Sequence, residues 1–184
     1  MSREDEYQIV ETCRRLSSIG MMPASDGNCS LRLDEETLLI TPSGVRKEQL
    51  KPQDLVRIEI DAEEAPGQAS SEWQMHAAIY RAREDVQAVV HAHPVYLTTL
   101  GIQEQIPDIS LLYETMETIG EMVLVPAMEP GTAEFAAEVS NALGDATAGI
   151  LQRHGAVAVG GSMEEALFRL ERAEHLARVE YLRQ

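Results

Sequence analysis

The chain has 184 residues, of which 44% are hydrophobic and 25% are charged, and its formal net charge is −16 at pH 7. This balance predicts a single domain over residues 1–184, and the negative charge argues against nucleic acid and against anionic membranes as partners. Two cysteines cannot build a disulfide framework, and the sequence has neither an apolar export-signal core nor a run of about 18 apolar residues, so we expect a cytoplasmic protein.

The first third of the chain predicts one helix followed by short strands. Apolar residues recur at helical spacing over residues 3–19, and Gly20 ends that pattern. The segments CSLRL (29–33) and TLLI (37–40) predict a hairpin, and LVRIEI (55–60) predicts a third strand. The strands of this part are therefore joined by short turns.

From residue 71 onward, helices alternate with strands. Ser71 with Gln74, and Ser162 with Glu165, match capping boxes at the starts of two helices, and a third helix ends near Gly144. The strand-like segments are AVVHAH, MVLVPA and GILQRHGAVAV, the last being two short strands or one bent strand. This order predicts an α/β fold, a three-layer α/β/α sandwich around a mixed, mainly antiparallel sheet.

Two histidines end the segment AVVHAH with one alanine between them. Because alternate residues of a strand share a face, His91 and His93 are expected to point the same way. His154 lies at the end of another strand, and three neutral imidazoles with one open position form a catalytic zinc arrangement. The spacing alone does not prove that the three meet. The chain has two more histidines, and the residues around them favour a hydrogen-bonded core position for His76 and a surface position for His175.

Three loops or helix starts are dense in Gly, Ser, Thr and Asn. Such residues offer backbone N–H and hydroxyl donors, and a helix N-terminus adds a dipole that favours anions. The segments are DGNCS (26–30), TPSG (41–44) and ASSEW (69–73). Taken singly, each is better explained by ordinary turn and cap chemistry, and Glu72 by an ordinary carboxylate in the first turn of a helix.

Six short motifs follow one another in the order found in class II aldolases of the aldolase/adducin family, which this chain resembles from about residue 7 to the last helix. The motifs are GNCS, TPSG, SSEW, HAHP, PGT and RHG. The resemblance implies that His91, His93 and His154 bind one Zn²⁺ per subunit. It also implies that Glu72 is the catalytic acid/base and can contact the metal. The residues that it places in a pocket for the substrate's phosphate are Asn28, Ser43, Gly44, Ser70 and Ser71.

The resemblance also implies a reaction and an assembly. The reaction is the reversible cleavage of a phosphorylated ketose, such as fuculose 1-phosphate, to dihydroxyacetone phosphate and an aldehyde, through an enediolate stabilised by zinc. The assembly is a homotetramer with active sites at the subunit interfaces. Tyr113 is the candidate proton donor, with a buried structural tyrosine as the alternative. Because the phosphate pocket contains no Lys or Arg, phosphate capture is expected to depend on local neutral donors.

Several alternatives stay open at this level. A dehydratase of the methylthioribulose 1-phosphate type, or a ribulose 5-phosphate 4-epimerase, would share the metal, although such epimerases usually carry aspartate where Glu72 stands. A zinc hydrolase would explain the histidines but not the serine-rich loops. A non-catalytic adducin-like scaffold is expected to lose metal ligands, and here all three histidines are present.

Overall fold

The computed structural model describes residues 3–183, and a seven-stranded sheet lies at its centre. The strands are β1 (Asn28–Arg32), β2 (Thr37–Ile40), β3 (Val56–Glu59), β4 (Ala88–Ala92), β5 (Met122–Val125), β6 (Ala148–Leu151) and β7 (Gly155–Gly160). Their order in the sheet is β3-β2-β1-β4-β7-β6-β5. The pair β5/β6 is parallel and the other neighbouring pairs are antiparallel, as expected for a mixed, mainly antiparallel sheet.

Helices cover both faces of this sheet. They are α1 (Arg3–Ser18), α2 (Trp73–Ala82), α3 (Val95–Ile102), α4 (Tyr113–Thr118), α5 (Ala133–Leu143) and α6 (Met163–Leu182), and single 3₁₀ turns occur at Lys47–Gln49, Pro52–Asp54 and Ile109–Leu111. One apolar cluster joins α1, α3 and α6 to the sheet, and a second joins α2 and α5 to its opposite face. The predicted three-layer α/β/α sandwich is confirmed.

The central strand β4 is buried along its whole length because helices cover both of its faces. Val90 packs in the cluster with α1 and α6, whereas Val89 packs in the cluster with α2 and α5. Alternation along the strand therefore places His91 on the α2 side, the side on which Glu72 begins its helix. The fold thus brings the strand histidine and the helix-start carboxylate to one face.

Local patterns explain most of the elements, and one predicted helix cap is wrong. The segment GILQRHGAVAV forms two antiparallel strands, and Ser162 caps α6 by accepting a hydrogen bond from the Glu165 backbone N–H. The capping box predicted at Ser71 is wrong. Glu72 occupies the N-cap position of α2 and makes no side-chain cap bond, because its carboxylate is engaged by Asn28 instead.

Over residues 3–183, none of the helices is both long and apolar enough to cross a lipid bilayer. Cys13 and Cys29 are buried free thiols, as expected from the low cysteine count.

Candidate metal centre

Three histidines and one glutamate converge at the end of the central strands. β4 carries His91, and His93 follows its last residue. Because β4 pairs with β7, the turn before β7 brings His154 to the same place. Gly155 permits this approach, since a Cβ at that position would clash with the backbone oxygen of Ala92. The glycine after His154 therefore has a packing reason.

The Nε2 atoms of the rings and the carboxylate of Glu72 surround a common point. The Nε2 atoms of His91 and His93 are 3.2 Å apart. Glu72 places Oε2 3.3 Å from His91 Nε2 and Oε1 3.4 Å from His154 Nε2. One donor atom from each of the three histidines lies within 4.8 Å of the other two. The predicted convergence is present in the structure.

The other ring nitrogens fix which atoms face inward. His91 Nδ1 donates to the backbone oxygen of Ala156 at 2.9 Å, since a carbonyl can only accept. His93 Nδ1 lies 3.3 Å from Oδ2 of Asp26. When His91 and His93 are neutral, with their protons on Nδ1, their Nε2 lone pairs face each other.

These residues fit a divalent metal ion. Two lone pairs at 3.2 Å repel unless a cation lies beside them. Among residues 3–183, Glu72 Oε1 and His154 Nδ1 are buried without a hydrogen-bond partner. Three imidazoles and a carboxylate are donors that suit Zn²⁺ and also other first-row divalent ions. The geometry therefore favours a metal site without fixing the identity of the metal.

Electrostatics within the cluster favour an ionised Glu72 beside a neutral His154. Burial alone would raise the pKa of Glu72, but the charge and hydrogen bond of His91, with His154 and Asn28, hold that pKa well below its usual range. Burial, with the charge of His91, lowers the pKa of His154 to about 4. Burial disfavours the charged form of His91, yet the neighbouring Glu72 carboxylate outweighs it and raises the pKa.

Glu72 is also tied to a buried polar network. Asn28 Nδ2 donates to Glu72 Oε2 at 2.8 Å, and Asn28 Oδ1 lies 2.5 Å from His76 Nε2. His76 is fully buried, and its other ring nitrogen lies 2.6 Å from the hydroxyl of Ser30. The expectation of a hydrogen-bonded core histidine is confirmed, and His175 is exposed on α6 as expected.

The segments predicted to bind phosphate lie side by side. The Ser43 backbone N–H donates to the Gln68 carbonyl at 2.9 Å, and the Ser70 N–H donates to the Thr41 carbonyl at 3.1 Å. Ser70 Oγ accepts from the backbone N–H of Glu72 at 3.3 Å, which connects these loops to the histidine cluster. The five candidate residues divide into two that are buried and three that are exposed. The buried ones are Asn28 and Ser70, and the exposed ones are Ser43, Gly44 and Ser71.

The PGT motif supports the same region from the α5 side. Gly131 has a φ of +78°, and a Cβ at that position would lie 3.1 Å from the backbone oxygen of Ser71. Thr132 caps α5 by accepting from the Phe135 N–H. Glycine therefore allows the loop before α5 to approach the segment that carries the paired serines.

Tyr113 lies at the surface. It begins α4 and is 83% exposed, so the alternative of a buried structural tyrosine is wrong. Among residues 3–183, no hydrogen bond or ring contact joins Tyr113 to the histidine cluster. Within one chain, the structure does not bring it to the site, and a role as proton donor stays a prediction.

Two contributions to the site were missed by sequence reasoning. Asp26 precedes the glycine of DGN and approaches His93, and the only local signal was a carboxylate in a turn. The contact between His76 and Asn28 joins residues 48 apart in sequence, so no local pattern could indicate it.

Comparison with known proteins agrees with the geometry. The family model of the class II aldolase and adducin N-terminal domain matches residues 7–181. L-fuculose phosphate aldolase of Escherichia coli is 33% identical over 174 residues, covering 94% of this chain and 80% of that protein. Methylthioribulose-1-phosphate dehydratase of Gluconacetobacter diazotrophicus is 33% identical over 180 residues, covering 91% of this chain and 88% of that protein.

A solved structure is similar over almost the whole of this chain. The crystal structure of L-fuculose-1-phosphate aldolase from Thermus thermophilus has a TM-score of 0.87 and 29% sequence identity, and the match covers 99% of this chain and 96% of that one. The family match and the curated relatives lead to the same assignment. The chain belongs to the class II aldolase and adducin N-terminal domain family.

Proposed function

We propose that the protein is a zinc-dependent aldolase that cleaves a phosphorylated ketose to dihydroxyacetone phosphate and an aldehyde, and that catalyses the reverse addition. The observation that carries this proposal is the meeting of three histidine nitrogens with the buried Glu72 carboxylate. The likeness to L-fuculose phosphate aldolase supports fuculose 1-phosphate, or a near stereoisomer, as the substrate.

His91, His93 and His154 would hold one Zn²⁺ per subunit, and Glu72 lies near enough to contact it. When bound, the ion would supply Lewis-acid polarisation of the ketose carbonyl and hydroxyl oxygens. The chain's own residues would set which oxygens can reach that position. His91 and His93 are held by hydrogen-bond or charge partners on Nδ1, so their rings keep a fixed orientation.

Glu72 would move the proton that the reaction needs. Cleavage breaks one carbon–carbon bond, releases the hydroxyl proton of the carbon that becomes the aldehyde, and returns a proton to the neighbouring carbon. The two carboxylate oxygens of Glu72 differ, because Asn28 donates to Oε2 whereas Oε1 has no hydrogen bond. Oε1 is therefore the atom that would take and return the proton.

The substrate phosphate would bind where the loops around Asn28, Ser43, Gly44, Ser70 and Ser71 meet. Hydroxyl and N–H donors beside the start of α2 suit an anion, and the exposed positions of Ser43 and Ser71 leave their hydroxyls accessible. The phosphate would serve as a handle that fixes the reacting carbons relative to Glu72.

We also propose a homotetramer in which a neighbouring subunit completes each site. Tyr113 is 83% exposed, and Met116 and Phe168 are large apolar residues that are also exposed. Such exposure of apolar side chains is what a subunit interface would cover. Tyr113 would then serve the active site of a neighbour, which agrees with its separation from the site of its own chain.

The proposed activity is tested by offering the zinc-loaded protein a panel of ketose 1-phosphates and following dihydroxyacetone phosphate with a coupled reductase. Release from fuculose 1-phosphate or a stereoisomer, absent in the Glu72→Gln variant, is the expected result. No release from any member, with one metal per chain, would contradict the proposal. The likeness to a methylthioribulose-1-phosphate dehydratase makes water loss from that substrate the second activity to assay.

A further inference from the structure

An unbroken series of hydrogen bonds between buried side chains runs from the core to Glu72. The hydroxyl of Tyr80 lies 2.8 Å from Ser30 Oγ, which lies 2.6 Å from His76 Nδ1. His76 Nε2 lies 2.5 Å from Asn28 Oδ1, and Asn28 Nδ2 lies 2.8 Å from Glu72 Oε2. These five residues are between 0% and 7% exposed, so protein groups and not solvent determine their hydrogen bonds.

The chemistry of the atoms fixes the direction of each bond. An amide oxygen only accepts, so His76 Nε2 must carry a proton and donate it to Asn28. Burial, with the nearby charge of His91, lowers the pKa of His76 to about 3, and the ring is therefore neutral at pH 7. Its Nδ1 must then accept, and Ser30 is the donor. The Tyr80 hydroxyl is left to donate to Ser30, through Oγ or the backbone oxygen at 3.0 Å.

All donors therefore point the same way, and the series ends on a carboxylate. Bonds in such a series polarise one another, which strengthens the last donor. The opposite orientation of the Asn28 amide would aim its oxygen at the Glu72 carboxylate and its NH₂ at the N–H of His76. Both contacts would be repulsive, so His76 and Glu72 together hold the amide in the observed orientation.

We propose that His76 is a positioning residue, which orients the Asn28 amide so that it holds one oxygen of Glu72 and leaves the other as the proton-carrying atom. The catalytic consequence rests on the proposed function, whereas the orientation of the amide does not. The helix supports this arrangement, because His76 lies one turn after Glu72 on α2. Within the described part of the chain, the second N–H of the Asn28 amide has no hydrogen-bond acceptor, so it is available to the substrate phosphate and would connect the proposed phosphate pocket to Glu72.

Two substitutions of the same residue separate positioning from packing. His76→Met fills the space without a donor, whereas His76→Gln keeps an N–H that can reach Asn28. We expect His76→Met to lower kcat by about 10- to 100-fold, as for a misplaced catalytic group, with KM and metal content little changed. His76→Gln should restore most of the loss. Wild-type kcat in His76→Met would overturn the proposal.

A matched control tests for simple loss of stability. Ile79 is buried on the same helix and belongs to the apolar cluster between α2 and the sheet. Ile79→Ala should therefore lower the melting temperature at least as much as His76→Met while keeping kcat near the wild-type value. An equal loss of kcat in Ile79→Ala would show that His76→Met acts through stability alone, which would contradict a positioning role.

A double-mutant cycle tests the route through Asn28. If His76 acts on Glu72 by orienting Asn28, then His76→Met should cost little further kcat once Asn28 is alanine. Multiplying losses in the double variant would mean that His76 acts independently of Asn28. That result would overturn the proposed route.

The orientation itself can be measured without turnover. In protein with ¹⁵N-labelled histidine, the NMR spectrum of His76 should show a protonated Nε2 and an unprotonated Nδ1 that accepts a hydrogen bond. The side-chain amide of Asn28 should exchange slowly with solvent in the wild type and in Ile79→Ala, and faster in His76→Met. A protonated Nδ1, or unchanged exchange in His76→Met, would overturn the proposal. A wild type with these signals that cleaves no ketose phosphate would refute the proposed aldolase activity alone.

Discussion

Oδ2 of Asp26 lies 3.3 Å from Nδ1 of His93, on the side of the ring away from the other histidines. A carboxylate in this place orients a ligating imidazole and makes its inward nitrogen more basic. Because the Asp26 side chain is 46% exposed, solvent weakens its effect, so we expect Asp26→Asn to lower metal affinity by about tenfold, the low end for such partners.

Competition with a fluorescent chelator measures this affinity. Asp61→Asn is the matched control, since the Asp61 side chain is 88% exposed and its ion-pair partner among residues 3–183 is Arg81, at 3.8 Å. Equal affinity in Asp26→Asn and the wild type would show that the His93–Asp26 contact does not support the metal.

Removing one histidine of the cluster should remove the metal. We expect His93→Ala to lose bound zinc and activity together while keeping most of the fold, because His93 follows the last residue of β4 and is only partly buried. The metal content after dialysis measures the loss of zinc, and circular dichroism measures whether the fold is kept. His175→Ala, which changes an exposed histidine on α6, should retain both metal and activity. Full zinc occupancy in His93→Ala would rule out His93 as a ligand.

Glu72→Gln should separate metal binding from proton transfer. The three histidines are unchanged in this variant, so the metal should stay bound. The neutral amide cannot accept the proton, and kcat should fall by about 10²- to 10⁴-fold, the usual contribution of a general acid or base. Glu164→Gln, an exposed carboxylate at the start of α6, is the control. Undiminished turnover in Glu72→Gln would exclude it as the acid/base.

Stability should fall in acid because His76 is buried in its neutral form. The unfolded chain takes up a proton at His76 near pH 6.5, whereas the folded ring does so only at about pH 3. Between these values the unfolded state binds more protons. The free energy of unfolding should therefore fall as the pH drops below about 6.5, by at most about 1.4 kcal/mol per pH unit from this residue.

Urea unfolding at pH 7.5, 6 and 5, with chelator present, measures this dependence. Ser30 and Asn28 face the ring directly, and the charges of Glu72 and His91 act on it from further away. His93 and His154 also have lowered pKa values, so they add to the loss of stability in acid. The contribution of His76 is therefore the difference between the wild type and His76→Gln. The variant should lose less stability on acidification. Parallel curves would show that His76 does not set the acid sensitivity.

The parts of the fold that could be predicted are those with a local cause. Period-two alternation placed His91 and His93 on one face of a strand, and His154 was predicted at a strand end, where the structure has the turn before β7. Ser162 capped its helix because the bond to the N–H of Glu165 lies within one turn. In each case the interacting groups are close in sequence or follow strand geometry.

The parts that could not be predicted depend on distant partners. The sequence pattern did not indicate α3, whose first N–H groups, at Tyr96 and Leu97, are capped by the carboxylate of Glu174 on α6. The Ser71 capping box failed for a related reason, since the residue at the N-cap position was taken into a buried cluster. Contacts of this kind appear only once the sheet has assembled.

The phosphate pocket is tested most directly at Ser71, which is exposed beside the start of α2. A hydroxyl that donates to a charged phosphate contributes about 1.5–3 kcal/mol, so Ser71→Ala should raise KM for a ketose 1-phosphate by roughly 10- to 100-fold. Its KM for the same ketose without phosphate should stay unchanged, because that sugar makes no use of the pocket. Ser18→Ala, which removes an exposed hydroxyl at the end of α1, should alter neither constant. Equal increases in KM for both sugars would place Ser71 near the ketose chain and not at its phosphate.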